Sequence, residues 1–305
     1  MNDIKVPQGF KFATCAAGFK KTDRKDLALL VSEAPAVAAA MFTKNVFKAA
    51  PVLVGQEILS KRERVRAVLI NSGQANACTG DEGVANCRRT LGMVAAACGL
   101  EAEEILPAST GVIGAQLKMD LWESNVPKLA ANLGQSSASD FAEAILTTDR
   151  FVKIASCELD FKGGKVRLCG MAKGAGMICP NMATMLSTLL CDAKVEAPLW
   201  RHLLQVAVDL TFNRASVDGD TSTNDTVYAL ANGASGVSVD EDEAGILLGA
   251  MREVLGKLAY LLVQDGEGAT KVMRIRVSGA KSADDAEKIC RAIGHSPLVK
   301  TAMFG

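Results

Sequence analysis

The sequence predicts a mixed α/β (α+β) fold, on three observations. Short apolar or β-branched runs bounded by Gly, Pro, Asn or Asp are interspersed with longer stretches of helical periodicity. Of the 305 residues, 49% are hydrophobic and 22% charged, enough for a sizeable core in one large domain or two lobes. No internal repeat or low-complexity linker interrupts the alternation.

Taken in order, strands are expected at 27–31, 52–54, 65–70, 152–159, 165–169, 188–191 and 273–278. Helices are expected at 81–98, 119–133, 140–146, 197–212, 240–262 and 282–292. In the first helix Val84, Cys87, Leu91, Val94 and Cys98 recur at helical spacing. In the last, Ser282 precedes an acidic first turn, the pattern of a helix N-cap.

Composition excludes several classes. Lys plus Arg and Asp plus Glu are equal at 34 each, so no excess of cations is present to neutralise nucleic-acid phosphates or anionic membrane surfaces. No uncharged apolar stretch approaches the roughly 18 residues of a membrane span, and residues 1–17 lack the order of a signal peptide. The nine cysteines form no CxxC pair, which speaks against zinc and against a disulfide framework. Apolar-flanked free thiols suit a reducing compartment, so a cytoplasmic location is expected. His202 and His295 are the only histidines, and both read as surface or packing residues.

Polar, Gly-rich segments fall between the elements, at 71–80, 109–114, 147–149, 171–184 and 213–226. The run MAKGAGMICPNMATML at 171–186 has two glycines but no Gly-Lys-Ser/Thr ending, and Cys179 stands where a dinucleotide fingerprint needs its third Gly. Thr184 follows this tight Gly/Pro turn at the start of an apolar run. A strained peptide there would expose the Ala183 carbonyl to the Thr184 hydroxyl, and cleavage would leave Thr184 with a free α-amine. The other reading is an ordinary β-branched strand residue. An N-terminal Thr carries its own base, because an α-amine titrates near ~7.7–8.0, and no His is then required.

The segment STGVIG at 109–114 can supply oxyanion donors, or be a turn before the helix at 119. The stretch NRASVDGDTSTNDT at 213–226 fails as a calcium loop, since Gly219 and Ala229 stand at the wrong positions relative to Asp218. It reads instead as a polar network supporting a site.

Together the motifs NSGQANACTG (71–80), STGVIG (109–114), KGAGM (173–177), PNMATML (180–186), DGDTSTND (218–225) and DGEGATK (265–271) resemble the ornithine acetyltransferase (glutamate N-acetyltransferase) family, in order from about Val6 onward. The resemblance implies a layered helix–sheet sandwich of the self-processing N-terminal-nucleophile type. It implies cleavage between Ala183 and Thr184 into an α-chain, 1–183, and a β-chain, 184–305. Thr184 would carry acetyl from N-acetylornithine to glutamate in arginine biosynthesis. Thr110 and Gly111 would stabilise the oxyanion, and Thr147, Lys173, Thr184 and Glu267 would contact substrate.

No metal or cofactor is implied, although acetyl-CoA is a conceivable alternative acetyl donor. A heterotetramer of two processed pairs is expected. From the residues alone, Lys173 and Glu267 also read as solvated surface charges, and Cys179 as a buried small residue. Family members extend past the equivalent of Gly305, with further strands and a terminal Asn and Thr or Ser that touch substrate. The rival readings are a self-processing aminopeptidase or amidohydrolase of related fold, and an inactive truncated remnant.

Overall fold

The computed structural model describes residues 4–20, 23–177 and 185–304. Its centre is one eight-stranded sheet: β1 (Phe10–Cys15), β2 (Leu27–Phe42), β3 (Arg64–Gln74), β4 (Ile105–Val112), β5 (Lys153–Phe161), β6 (Gly164–Lys173), β7 (Leu186–Cys191) and β8 (Thr226–Ala231). The order across the sheet is β4-β3-β2-β8-β7-β6-β5, with β1 paired to β2. The β3/β4 and β7/β8 pairs are parallel and the rest antiparallel. The 16-residue β2 ties the halves together. Its first part pairs with β1 and its last with β8, and a register shift between Val31 and Ala36 bends it.

Period-two alternation divides the core. Cys169 and Met171 of β6 and Tyr228 and Leu230 of β8 point to one face; Leu168, Ala172, Val227 and Ala229 point to the other. The first face is covered by α2 (Gly80–Cys98), α3 (Met119–Ala131) and α4 (Ala138–Ala144), through Leu91, Val94, Trp122, Leu129 and Phe141. The second is covered by α5 (Ala197–Asp209) and α6 (Ala244–Gln264), through Trp200, Leu204, Leu247, Met251 and Leu258. Helices on both faces make the expected helix–sheet sandwich. No helix of the described residues is long and apolar enough to cross a membrane.

The local expectations divide unevenly. The six expected helices are present, with shifted ends; α7 (Ala283–His295) begins after Ser282, whose hydroxyl accepts from the Asp285 N–H as an N-cap. Two strand expectations fail. Residues 52–54 lie in α1 (Ala50–Lys61), where Pro51 near the helix start has a φ suited to the first turn and the apolar run becomes a buried helix face. Residues 273–278 carry the alternation of a strand but have no strand beside them among the described residues, and alternation without a partner does not make a ladder. β1, β4, β8 and α8 (Pro297–Phe304) were not anticipated, and the expected loop 109–114 is largely the end of β4.

Candidate active site

One end of the sheet gathers the polar segments. There β4 ends beside β3, with Ser72 opposite Thr110 and Gly73 opposite Gly111. Three strands away from β2, Lys173 at the end of β6 is in register with Leu186, and Leu186 with Thr226 of β8. Among the described residues, Thr110, Gly111 and Lys173, expected at the site from distant parts of the chain, therefore converge on the sheet end.

Thr110 and Gly111 sit on a wall of neutral hydrogen bonds. The Ser109 hydroxyl donates to Asn71 Oδ1 at 2.6 Å, and Asn71 Nδ2 to the Gln74 carbonyl at 2.9 Å. From the 213–226 segment, Asn224 Nδ2 donates to the Ala75 carbonyl at 2.6 Å and the Ser109 carbonyl at 2.9 Å, linking β3 and β4. Gly111 has φ of 134°, and a Cβ there would lie 2.2 Å from the Gly73 carbonyl carbon. Only glycine satisfies both the dihedral and the close strand approach.

Opposite lies Lys173, buried rather than solvated. Its Nζ donates to Thr147 Oγ1 at 2.8 Å and Thr110 Oγ1 at 3.2 Å, and stands 3.8 Å from Asp149 Oδ2. Burial lowers its pKa from the usual lysine range, with Asp149 opposing and Lys153 assisting. Asp149 Oδ1 accepts from Lys153 Nζ at 2.6 Å and from the Gly174 N–H at 2.6 Å; Oδ2 accepts from the Thr147 N–H at 3.0 Å. Burial by itself would raise the Asp149 carboxyl, but the two ammonium groups and these hydrogen bonds outweigh it and hold the pKa below the usual value. Lys153 Nζ also donates to Asp265 Oδ2 at 2.6 Å.

Ala183 and Thr184, the expected cleavage point and nucleophile, lie outside the described residues, as does Cys179. The flanks are described. Met177 has φ of 59°, unusual for a residue with a Cβ, and its N–H donates to Asp218 Oδ2 at 2.5 Å. The Met185 N–H donates to Asp225 Oδ1 at 3.0 Å. Asp225 is wholly buried, its Oδ2 has no hydrogen-bond partner among the described residues, and burial pushes its pKa well above the carboxylate range. The 213–226 segment thus holds both Met177 and Met185, as a supporting polar network should.

Glu267 is exposed, as one of its two readings held; its N–H donates to the Ala175 carbonyl at 2.9 Å, and its carboxylate lies beside Gly176. The histidines are elsewhere: His202 is exposed on α5, and His295 contacts Ser216 at 3.1 Å. Burial pushes the Cys87, Cys169 and Cys191 thiols up to about 12, which leaves them inert near neutrality. No cluster of metal-ligating side chains occurs among the described residues. Asp149, Lys153 and Asp265 had no assigned role in the sequence reading. Asp149 ended the polar segment 147–149 and Asp265 opened the motif at 265–271, but nothing in the local sequence joined them to Lys153.

A helix–sheet sandwich of this kind falls in the Ntn-hydrolase class of folds. The L-aminopeptidase D-Ala-esterase/amidase of Ochrobactrum anthropi, a variant of the Ntn hydrolase fold, matches it with a TM-score of 0.54 over 85% of each chain at 10% identity, a likeness of fold alone. Within that class the chain belongs to the ArgJ family, which residues 11–305 match. It is 64% identical over 299 residues to the arginine biosynthesis bifunctional protein ArgJ of Nitratidesulfovibrio vulgaris, covering 98% of this chain and 76% of that protein. The Thermotoga neapolitana protein of the same name is 46% identical over 304 residues, with the same coverage. The ornithine acetyltransferase of Mycobacterium tuberculosis, solved with ornithine, matches with a TM-score of 0.53 at 40% identity over 57% of this chain and 93% of that one.

Proposed function

We propose that this member of the ArgJ family is a glutamate N-acetyltransferase that moves acetyl from N-acetylornithine to glutamate through an acetyl ester on Thr184. The observation that carries the reading is the Lys173 ammonium, buried 3.2 Å from the Thr110 hydroxyl at the end of the strand that holds Gly111. A charge and donors gathered at one point, away from water, suit a developing oxyanion and a substrate carboxylate.

Maturation comes first. The Thr184 hydroxyl adds to the Ala183 carbonyl, the peptide C–N bond breaks, and an ester forms with release of the Thr184 α-amine. Water then cleaves the ester, leaving a carboxylate on Ala183. The pieces 1–183 and 184–305 stay together because β7 pairs with β6, and β8 with β2. Two such pairs make the heterotetramer.

In transfer, the α-amine accepts the Thr184 hydroxyl proton as the oxygen attacks the acetyl carbonyl. Thr110 and Gly111 stabilise the oxyanion, and ornithine departs with the proton. The glutamate amine then attacks the acetyl ester and regenerates Thr184. Thr147, Lys173 and Glu267 hold the amino acid, with Lys173 against a carboxylate and Glu267 against an ammonium group. The transfer needs no metal or cofactor. Acetyl-CoA can be tested as a second donor, and free thiols suit the cytoplasm as the compartment.

Denaturing mass spectrometry of the purified chain should give two fragments split before Thr184. Incubation with N-acetylornithine and glutamate should form N-acetylglutamate. Ornithine release independent of glutamate would instead identify a hydrolase, and an uncut chain without transfer would remove the proposal.

A further inference from the structure

We infer that Asp149 and Lys153 are positioning residues, which hold Thr147, Lys173 and the turn bearing Glu267 as one unit through a buried chain of ion pairs. The inference rests on reading this site as an amino-acid acetyltransferase centre.

The chain runs Lys173–Asp149–Lys153–Asp265–Arg150, with nitrogen-to-oxygen distances of 3.8, 2.6, 2.6 and 2.9 Å. The Asp149, Lys153 and Asp265 side chains are wholly buried, and only Arg150 reaches solvent. For packing alone, apolar groups of the same volume would serve as well or better, because two desolvated charges rarely regain their hydration energy. What the charges do provide is fixed geometry between segments far apart in sequence. Asp149 engages the Thr147 N–H and the Gly174 N–H as well as both ammonium groups. Lys153 extends the hold to Asp265, two residues before Glu267. Three of the expected substrate contacts are thereby attached to one carboxylate–ammonium chain.

The titratable groups facing Lys173 are Asp149, Lys153, Asp225 and Glu267, with Lys20 from the β1–β2 connection. Burial lowers the Lys173 pKa most; Asp149 is the strongest of the groups that oppose this, and Lys153 acts in the same direction as burial. Removing Asp149 therefore favours the neutral amine, which holds a carboxylate poorly.

The test uses the whole matured chain with Asp149→Asn and with the double variant Asp149→Asn/Lys153→Met. In the double variant Asp265 keeps its contacts with Arg150. Three readouts are taken: the 13Cε shift of Lys173 against pH, kcat and KM for glutamate, and the melting temperature. With Asp149→Asn, the Lys173 titration should move to lower pH, and KM should rise about 10- to 100-fold with a smaller fall in kcat. The double variant should melt closer to the parent, having no lone buried Lys153. Its KM should remain raised and its Lys173 titration displaced, since the Asp149 contribution exceeds that of Lys153.

Recovery of KM and titration along with the melting temperature would reduce the pair to a structural role and overturn the inference. So would an unmoved Lys173 titration in either variant. If the parent chain transfers no acetyl, the functional reading fails alone, and the Lys173 titration still decides whether Asp149 governs that residue.

Discussion

The strand end that carries Thr110 and the strand end that carries Lys173 meet at 3.2 Å, yet different interactions hold them. On the β4 side are Asn71, Ser109, Asn224 and a glycine pair, all neutral, joined by short hydrogen bonds to backbone carbonyls. On the β6 side are Lys173, Asp149, Lys153 and Asp265, joined by ion pairs out of water. The neutral wall depends only on distance and is indifferent to pH. The ionic wall depends on protonation as well, so pH and charge-changing substitutions reach it. On the proposed function, a site that holds donors for an oxyanion and also binds charged amino acids gains from keeping the two tasks on separate walls.

The contrast can be broken most severely at Gly111. Gly111→Ala puts a methyl into the Gly73 carbonyl carbon and forces a strained φ, so β4 must withdraw from β3. Acetyl transfer should fall by about 10²–10³ in kcat, at every pH, in a glutamate-dependent assay. A loss confined to KM would mean that Gly111 is not on the oxyanion wall. Lys173→Met should do the opposite, raising KM for glutamate by about 10- to 100-fold. The fold should persist, because Asp149 keeps Lys153 and two N–H donors.

Asn224→Ala sharpens the neutral side. Two carbonyls lose a buried donor, and urea unfolding should register about 1–3 kcal/mol with little dependence on pH.

Asp225 tests the pH argument from the acid side. Its folded pKa is raised by burial, so the folded state holds a proton that the unfolded chain releases near ~3.9. The stability from that proton is complete below this value and is lost as pH rises through the raised folded pKa. Asp225→Asn should flatten the decline, in urea unfolding compared at pH 5 and 7.5. An unchanged slope would mean that Asp225 is ionised when folded.

The smallest effect belongs to a partly exposed ion pair that serves as the reference. Asp140 pairs with Lys25 at 2.5 Å and caps α4 with Ser137, and these contacts lower its pKa to about 2. Asp140→Ala should cost about 1 kcal/mol at neutral pH and nothing at the site. In the parent the contribution is present above ~3.9 and fades as pH falls toward about 2.

The helices were legible because each buries one stripe, and a stripe at 3.6-residue spacing survives in the sequence whatever it packs against. Strands were less so. Residues 52–54 and 273–278 have the composition of strands, but one became a helix face behind Pro51 and the other found no neighbour. β8 is illegible as a strand because TVYALA does not alternate between polar and apolar, as suits a strand buried on both faces. Thr110, Gly111, Lys173 and Glu267 stood out through their motifs and Thr147 through the resemblance; Asp149 and Asp265 lay in the same polar segments, and Lys153 in an expected strand, without a role, because a charged residue looks solvated until the fold buries it.

By itself, then, the sequence determined the mixed class and the family, since these reside in local order and motif. Only the tertiary structure decided that Lys173 is buried rather than solvated, that β4 runs on through Thr110 and Gly111, and that residues 149, 153, 173 and 265 share one chain of charge. In that chain of charge, burial and ion pairing arise between segments up to 115 residues apart, and no local pattern records which distant segment will close over a charge.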